Sequence, residues 1–100
     1  MENGPSGEEL KGDEQLSKIR ASLNAAYNWP CDYMFKFILP NQPEAIDEVL
    51  SHFPAFSACK RRESSGGKYI SLTITEMVDG PDRIFTCYAA VSALEGVMAL

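Results

Sequence analysis

This 100-residue chain is poor in the side chains most chemistry is built on: it has one histidine, three cysteines and nine basic residues. His52 has no second imidazole. Cys31, Cys59 and Cys87 stand 28 residues apart with no C-x-x-C pair, so neither a zinc-ligand set, a redox dithiol nor a Cys/His nucleophile pair is spelled out. No catalytic residue, metal ligand or cofactor is expected. The odd, unclustered cysteines point to reduced thiols, the usual state in a cytoplasmic protein. Nine Lys+Arg against fourteen Asp+Glu give a formal net charge of -5. That balance argues against nucleic acid and anionic membrane, both of which need a basic face. No apolar run approaches the roughly 20 residues that span a bilayer. The acidic, polar start Met1-Glu2-Asn3-Gly4-Pro5 lacks the basic and apolar regions of a secretory signal, and a cytoplasmic location is expected.

What the chain does have is enough apolar residues, 45%, for one core. Residues 1–12, MENGPSGEELKG, hold a single Leu among Gly, Pro, Ser and Glu, a composition that predicts a disordered acidic tail. Residues 1–15 carry five acids and one base, whereas residues 16–100 carry nine acids and eight bases. The acidity is therefore concentrated in the first segment. From Asp13, Leu16, Ile19, Leu23 and Tyr27 recur at helical spacing, predicting an amphipathic helix over 13–28 that docks through those four residues and starts at an Asp13 cap. Trp29-Pro30 ends it.

Residues 29–100 read as one domain. Tyr33 to Leu39 forms a strand whose Lys36 must face water, which turns Phe35, Phe37 and Leu39 inward. Pro43 opens a helix with Ile46, Val49, Leu50 and Phe53 as its buried stripe. A strand from Phe56 to Glu63 and a second from Lys68 to Glu76 flank Ser64-Ser65-Gly66-Gly67 as a β-hairpin, with Ile70, Leu72 and Ile74 inward. Asp79-Gly80-Pro81 opens a helix with Ile84, Cys87, Tyr88 and Val91 buried, and Val97 to Leu100 supplies a last strand. The order is βαββαβ, predicting an α+β, ferredoxin-like sandwich. Its four-stranded antiparallel sheet is ordered 4-1-3-2, and the N-terminal helix is additional to it.

That fold leaves one sheet face without a helix. By alternation the face shows Met34, Lys36, Ile38, Tyr69, Ser71, Thr73 and Thr75, with Val97 and Ala99 added if Met98 and Leu100 turn to the core. The N-terminal helix, a second copy of the chain or a ligand could cover it. Chemistry is densest at the hairpin, where Arg62, Glu63, Ser64, Ser65, Gly66, Gly67, Lys68 and Tyr69 gather cations, hydroxyls and glycine amides around one turn. An anion or a partner could bind there; alternatively, the cations keep an edge strand from pairing with other chains. A Walker loop is excluded, since Arg62 stands at the first Gly position and a strand follows. His52 reads as a helix-end cation, Glu44, Asp47 and Glu48 as a solvated helix start, and Trp29 as a cap on the core. The RNA-recognition motif shares the element order, but only Tyr69 is aromatic on the open face, and RNA binding is not expected.

Trp29-Pro30 followed by Tyr33-Met34-Phe35-Lys36-Phe37-Ile38, the run Arg62-Glu63-Ser64-Ser65-Gly66-Gly67-Lys68-Tyr69-Ile70-Ser71-Leu72-Thr73, and Glu95-Gly96-Val97-Met98-Ala99-Leu100 resemble the YbeD-like family of small bacterial proteins of unknown function. The resemblance runs from about Leu16 to Leu100. It departs at Val78-Asp79-Gly80-Pro81 and at Ala99, where a small polar residue is more usual. It implies a ferredoxin-like sandwich similar to ACT-type regulatory domains, and it brings no catalytic residue. In ACT-type domains a ligand carboxylate sits near the turn from first strand to first helix. Here that turn is Pro40-Asn41-Gln42-Pro43, with two prolines and no glycine. The expected function is a non-enzymatic regulatory or protein-interaction module assembling through the open sheet face, with a homodimer or another protein as partner. An ACT-like sensor of an amino acid or other small anion is the alternative.

Overall fold

The computed structural model describes the backbone of residues 4–100 and the side chains of residues 14–100. Its elements are α1 (Gly4–Ala26), β1 (Cys31–Pro40), α2 (Pro43–Leu50), β2 (Ala58–Glu63), β3 (Tyr69–Val78), α3 (Pro81–Ser92) and β4 (Met98–Ala99). The sheet order is β2-β3-β1-β4 with every neighbouring pair antiparallel, the ferredoxin-like arrangement expected. Alternation sets the layers. Phe35, Phe37 and Leu39 of β1 and Ile70, Leu72 and Ile74 of β3 are buried on one face. There they meet Ile46, Val49 and Phe53 from α2 and its exit, and Ile84, Cys87 and Val91 from α3. Aromatic rings knit the centre, with Phe35 and Phe37 each within 4.9–6.0 Å of Phe53 and Tyr88.

Several boundaries and phases differ from expectation. The helix expected to start at an Asp13 cap runs as α1 from Gly4, because Pro5 is tolerated in a first turn and Glu8, Glu9, Leu10 and Lys11 are good helix formers. Of the tail expected at residues 1–12, Met1 to Asn3 and all side chains lie outside the described residues. Docking through Leu16, Ile19, Leu23 and Tyr27 is also corrected. Leu23 packs on the core, while Leu16 is 49% and Ile19 47% exposed. The cause is length: α1 rests on α3, which has only 12 residues, and the contact is made near the C-terminal end of α1. Arg20 pairs with Asp82 and lies 5.2 Å from the Phe85 ring centre. Tyr27 packs against Trp29 and Tyr33, and Trp29 Nε1 donates to Asn24 Oδ1 at 2.7 Å. β2 begins at Ala58 rather than Phe56, whose amide closes a turn on Phe53.

The last strand has the opposite phase to the one expected. Ile38 pairs with Met98 and Phe37 with Ala99, and directly opposed residues share a face. Val97 therefore packs toward the core, while Met98 and Leu100 stand 64% and 62% exposed on the open side. Gly96 decides this. Its φ of +79 takes the chain out of α3 in a conformation that L side chains avoid, with Pro40 Cγ 3.2 Å from where a Cβ would sit. A single residue's slip at that bend flips the whole strand.

Candidate functional site

The register assembles the open face row by row. Arg62, Ser71, Ile38 and Met98 lie side by side across the four strands, and Lys60, Thr73 and Lys36 form the next row. The Leu100 amide donates to the Lys36 carbonyl at 2.9 Å and closes that second row. Beyond it come Ala58, Thr75 and Met34, then Met77 and Asp32. Three cations, Lys36, Lys60 and Arg62, thus share the centre of the face with Ser71 and Thr73 hydroxyls, and Asp32 is the one acid among the strand residues facing this way, at the far end. Two adjoining hollows lie here. One of about 450 Å³ is lined by Lys36, Lys60, Arg61, Arg62, Ser71, Thr73 and Leu100. The other, about 210 Å³, is lined by Ile38, Arg62, Glu63, Ser64, Tyr69, Ile70 and Ser71. Arg62 and Ser71 border both.

Of the open-face residues named from sequence, Met34, Lys36, Ile38, Tyr69, Ser71, Thr73 and Thr75 are on this face, and Val97 and Ala99 are not. Lys60, Met98 and Leu100 are on it and were missed. Alternation in β2 is the signal that finds Lys60, since Arg62 and Lys60 are two residues apart on a strand.

The hairpin candidates disperse. Arg62 turns to the sheet face, and Lys68 Nζ lies 6.0 Å from the ring centre of its neighbour Tyr69. The Gly67 amide donates to the Ser64 carbonyl at 2.8 Å inside the turn, so it cannot complete a nest of glycine amides for an anion. Ser64 Oγ accepts the Tyr69 amide at 3.1 Å, and Gly67 takes the positive φ the turn requires. Ser65 and Gly66 are exposed at the tip. The turn that holds ligands in ACT-type domains offers nothing either. Its two amides are spent, Asn41 on the Lys68 carbonyl and Gln42 on the Pro40 carbonyl, while Asn41 Nδ2 donates to the Gly67 carbonyl at 3.0 Å.

Buried chemistry lies away from the face. Glu76 is buried, 3% exposed, at the core side of β3. It accepts from Arg83 Nη2 at 2.7 Å and from the Ala55 amide at 3.0 Å, and Arg83 Nη2 also donates to the His52 carbonyl at 3.1 Å. Bonding to Glu76 raises the Arg83 pKa, so the cation is secure. This is a strut joining the loop after α2 to α3, and the alternation Ile70, Leu72, Ile74 points at Glu76 in sequence. Burial raises the pKa of the Cys87 thiol and of the Tyr33 and Tyr88 hydroxyls, the opposite of what activates a nucleophile. Among the described residues no group of three His, Cys, Asp or Glu side chains could hold a metal ion, and no helix is long and apolar enough to cross a membrane.

A family profile described as "Protein of unknown function (DUF493)" matches residues 24–100. The chain belongs to that family. The match takes in the whole sheet and begins near the C-terminal end of α1, so most of that helix lies outside it. Curated relatives in the family include a UPF0250 protein of Shewanella amazonensis, 33% identical over 83 residues, 79% of this chain and 94% of the relative. A UPF0250 protein of Serratia proteamaculans is 28% identical over 81 residues, 77% of this chain and 93% of the relative. Among solved structures, the solution structure of protein HP0495 from H. pylori aligns with a TM-score of 0.60 at 18% identity, covering 74% of this chain and 85% of that one. At that identity the likeness carries the fold alone. The family resemblance read from the three sequence runs is thus established, together with the α+β fold.

Proposed function

We propose that this protein is a non-catalytic interaction module that docks a protein partner on its open sheet face. One observation carries the reading: Met34, Met98 and Leu100, 56–64% exposed, stand around Lys36, Lys60 and Arg62 on a face that no described element of the chain covers. Apolar side chains supply contact area, and a cluster of like charges sets orientation and encounter rate, which together are the ingredients of a docking surface. A non-catalytic role is supported by where the perturbed groups lie, since Cys87, Tyr33 and Tyr88 all sit on the core side, away from the two hollows. The three free cysteines suit a reducing compartment such as the cytoplasm. Docking of this kind would let the module regulate the protein it binds.

Site-specific photocrosslinking tests the reading in cells. A crosslinker at Met34 is expected to trap a protein, while one at Glu48, exposed on α2 in the opposite layer, is expected to trap none. Equal capture at both positions, or none at Met34, would refute it.

A further inference from the structure

Two surfaces of this chain lack a partner among its described residues, and their chemistries are complementary. The open sheet face is one. The other is the part of α1 that reaches past α3: the described contacts of α1 with the rest of the chain come from Arg20, Leu23, Asn24 and Tyr27, and Leu16 and Ile19 stand about half exposed. At 1.5 Å per residue the 23-residue helix is about 34 Å long, and the residues ahead of its first described contact, Arg20, make up roughly four turns of it. From Gly4 to Ile19 the helix sequence carries four acids, Glu8, Glu9, Asp13 and Glu14, against two bases, Lys11 and Lys18. Among the described residues the centre of the sheet face holds three cations, with Glu63 at the rim of the smaller hollow as the nearest acid.

We propose that the open sheet face of one copy receives the overhanging, acidic part of α1 from a second copy, reciprocally about a two-fold axis. The proposal rests on reading that face as a docking surface and adds its occupant. A chain's own α1 is excluded from the role, because Leu23 and the Arg20–Asp82 pair hold it on the α3 side with the sheet in between. Face-to-face stacking of two sheets fails on charge, since it sets Lys36, Lys60 and Arg62 against the cations of the other copy, and like charges brought together at an interface are costly. A helix bearing acids beside Leu16 and Ile19 satisfies both components of the face at once, carboxylates on the ammonium and guanidinium groups and leucine and isoleucine on Met34, Ile38 and Leu100. Dimensions agree. A ten-residue strand spans about 33 Å and four strands about 14 Å, so an overhang of roughly 15 residues, about 23 Å, lies within the face. Reciprocity gives each dimer two such contacts, and a helix then covers both faces of each sheet.

Sedimentation equilibrium of the full chain decides the matter. The wild type is expected to be a dimer that weakens about tenfold between low and high salt, since partly exposed charge pairs are screened. Lys60→Glu/Arg62→Glu on the face and Asp13→Lys/Glu14→Lys on the helix are each expected to shift it to monomer, with circular dichroism unchanged because Lys60, Arg62 and Glu14 are exposed. Combining all four substitutions is expected to restore the dimer. A wild type that is monomeric at every concentration, a dimer indifferent to either reversal, or a pair of reversals that fails to rescue overturns the proposal. A monomeric wild type that still gives a crosslink from Met34 to a different protein removes the second copy as occupant and leaves the docking face standing; with no crosslink from Met34, both readings fall.

Discussion

Glu76 shows how a single buried charge organises its surroundings. A carboxylate at 3% exposure survives in the native state because it accepts from Arg83 and from the Ala55 amide, so breaking the set costs more than removing it whole. Arg83→Met is expected to destabilise by about 2–3 kcal/mol, a figure kept low because Arg83 is partly exposed, and Glu76→Leu/Arg83→Met by less than Arg83→Met alone. Urea denaturation of the three proteins measures it. The buried thiol and hydroxyls set a different dependence. Burial raises the pKa of Cys87 above its ordinary 9.0 and those of Tyr33 and Tyr88 above 10.0, so the unfolded chain gives up these protons at lower pH than the folded one. Their contribution is whole below pH 9 and is lost as pH rises through 9 and then 10. Thermal unfolding is expected at falling temperature above pH 9. Tyr88→Phe should flatten the decline above pH 10, and an undiminished slope in that variant would remove Tyr88 from the cause.

At the scale of elements, two glycines carry different weight. Gly96→Ala is expected to cost about 1–2 kcal/mol, since the new methyl meets Pro40 at 3.2 Å and φ is +79. Gly66→Ala meets nothing within 4 Å and should change stability by less than about 0.5 kcal/mol. Differential scanning calorimetry of the pair reads the contrast. The same bend explains what sequence patterning could and could not deliver. The phases of β1 and β3 were legible because Lys36 and the run Ile70, Leu72, Ile74 admit one phase each, although β1 runs from Cys31 to Pro40 rather than Tyr33 to Leu39 and β3 from Tyr69 to Val78 rather than Lys68 to Glu76. Val97 to Leu100 is apolar throughout, so alternation there is silent, and the phase follows from a backbone angle at Gly96. The hairpin was legible as a turn. Its cations were not placed correctly because proximity in sequence around a turn differs from proximity across strands, where Lys36, Lys60 and Arg62 meet. α1 was legible as a helix, yet where it docks depends on the length of α3, which its own pattern does not contain.

For the whole molecule, the core is a single cluster in which β1 contacts both helices, and Phe37, fully buried between Phe53 and Tyr88, is at its centre. Phe37→Ala is expected to cost about 3–5 kcal/mol by chemical denaturation, a large fraction of the roughly 5–15 kcal/mol that holds a domain of this size folded. The two faces of the sheet thus differ, one concentrating stability and the other left uncovered by any described element. The four-strand order also brings the turn before α2 beside the tip of the hairpin, and Asn41 joins them with two hydrogen bonds, from its amide to Lys68 and from its side chain to Gly67. Hairpin tips ordinarily fray on their own, the weakest local unit of a sheet. Here fraying must also release the strand-to-helix turn, so the tip and the first turn of α2 should open as one unit. The amides of Gly67 and Ile46, bonded to Ser64 and Gln42, would then exchange their protons with solvent at a common rate. Asn41→Ala would split that rate in two, and amides that already exchange independently in the wild type would mean the stitch does not hold.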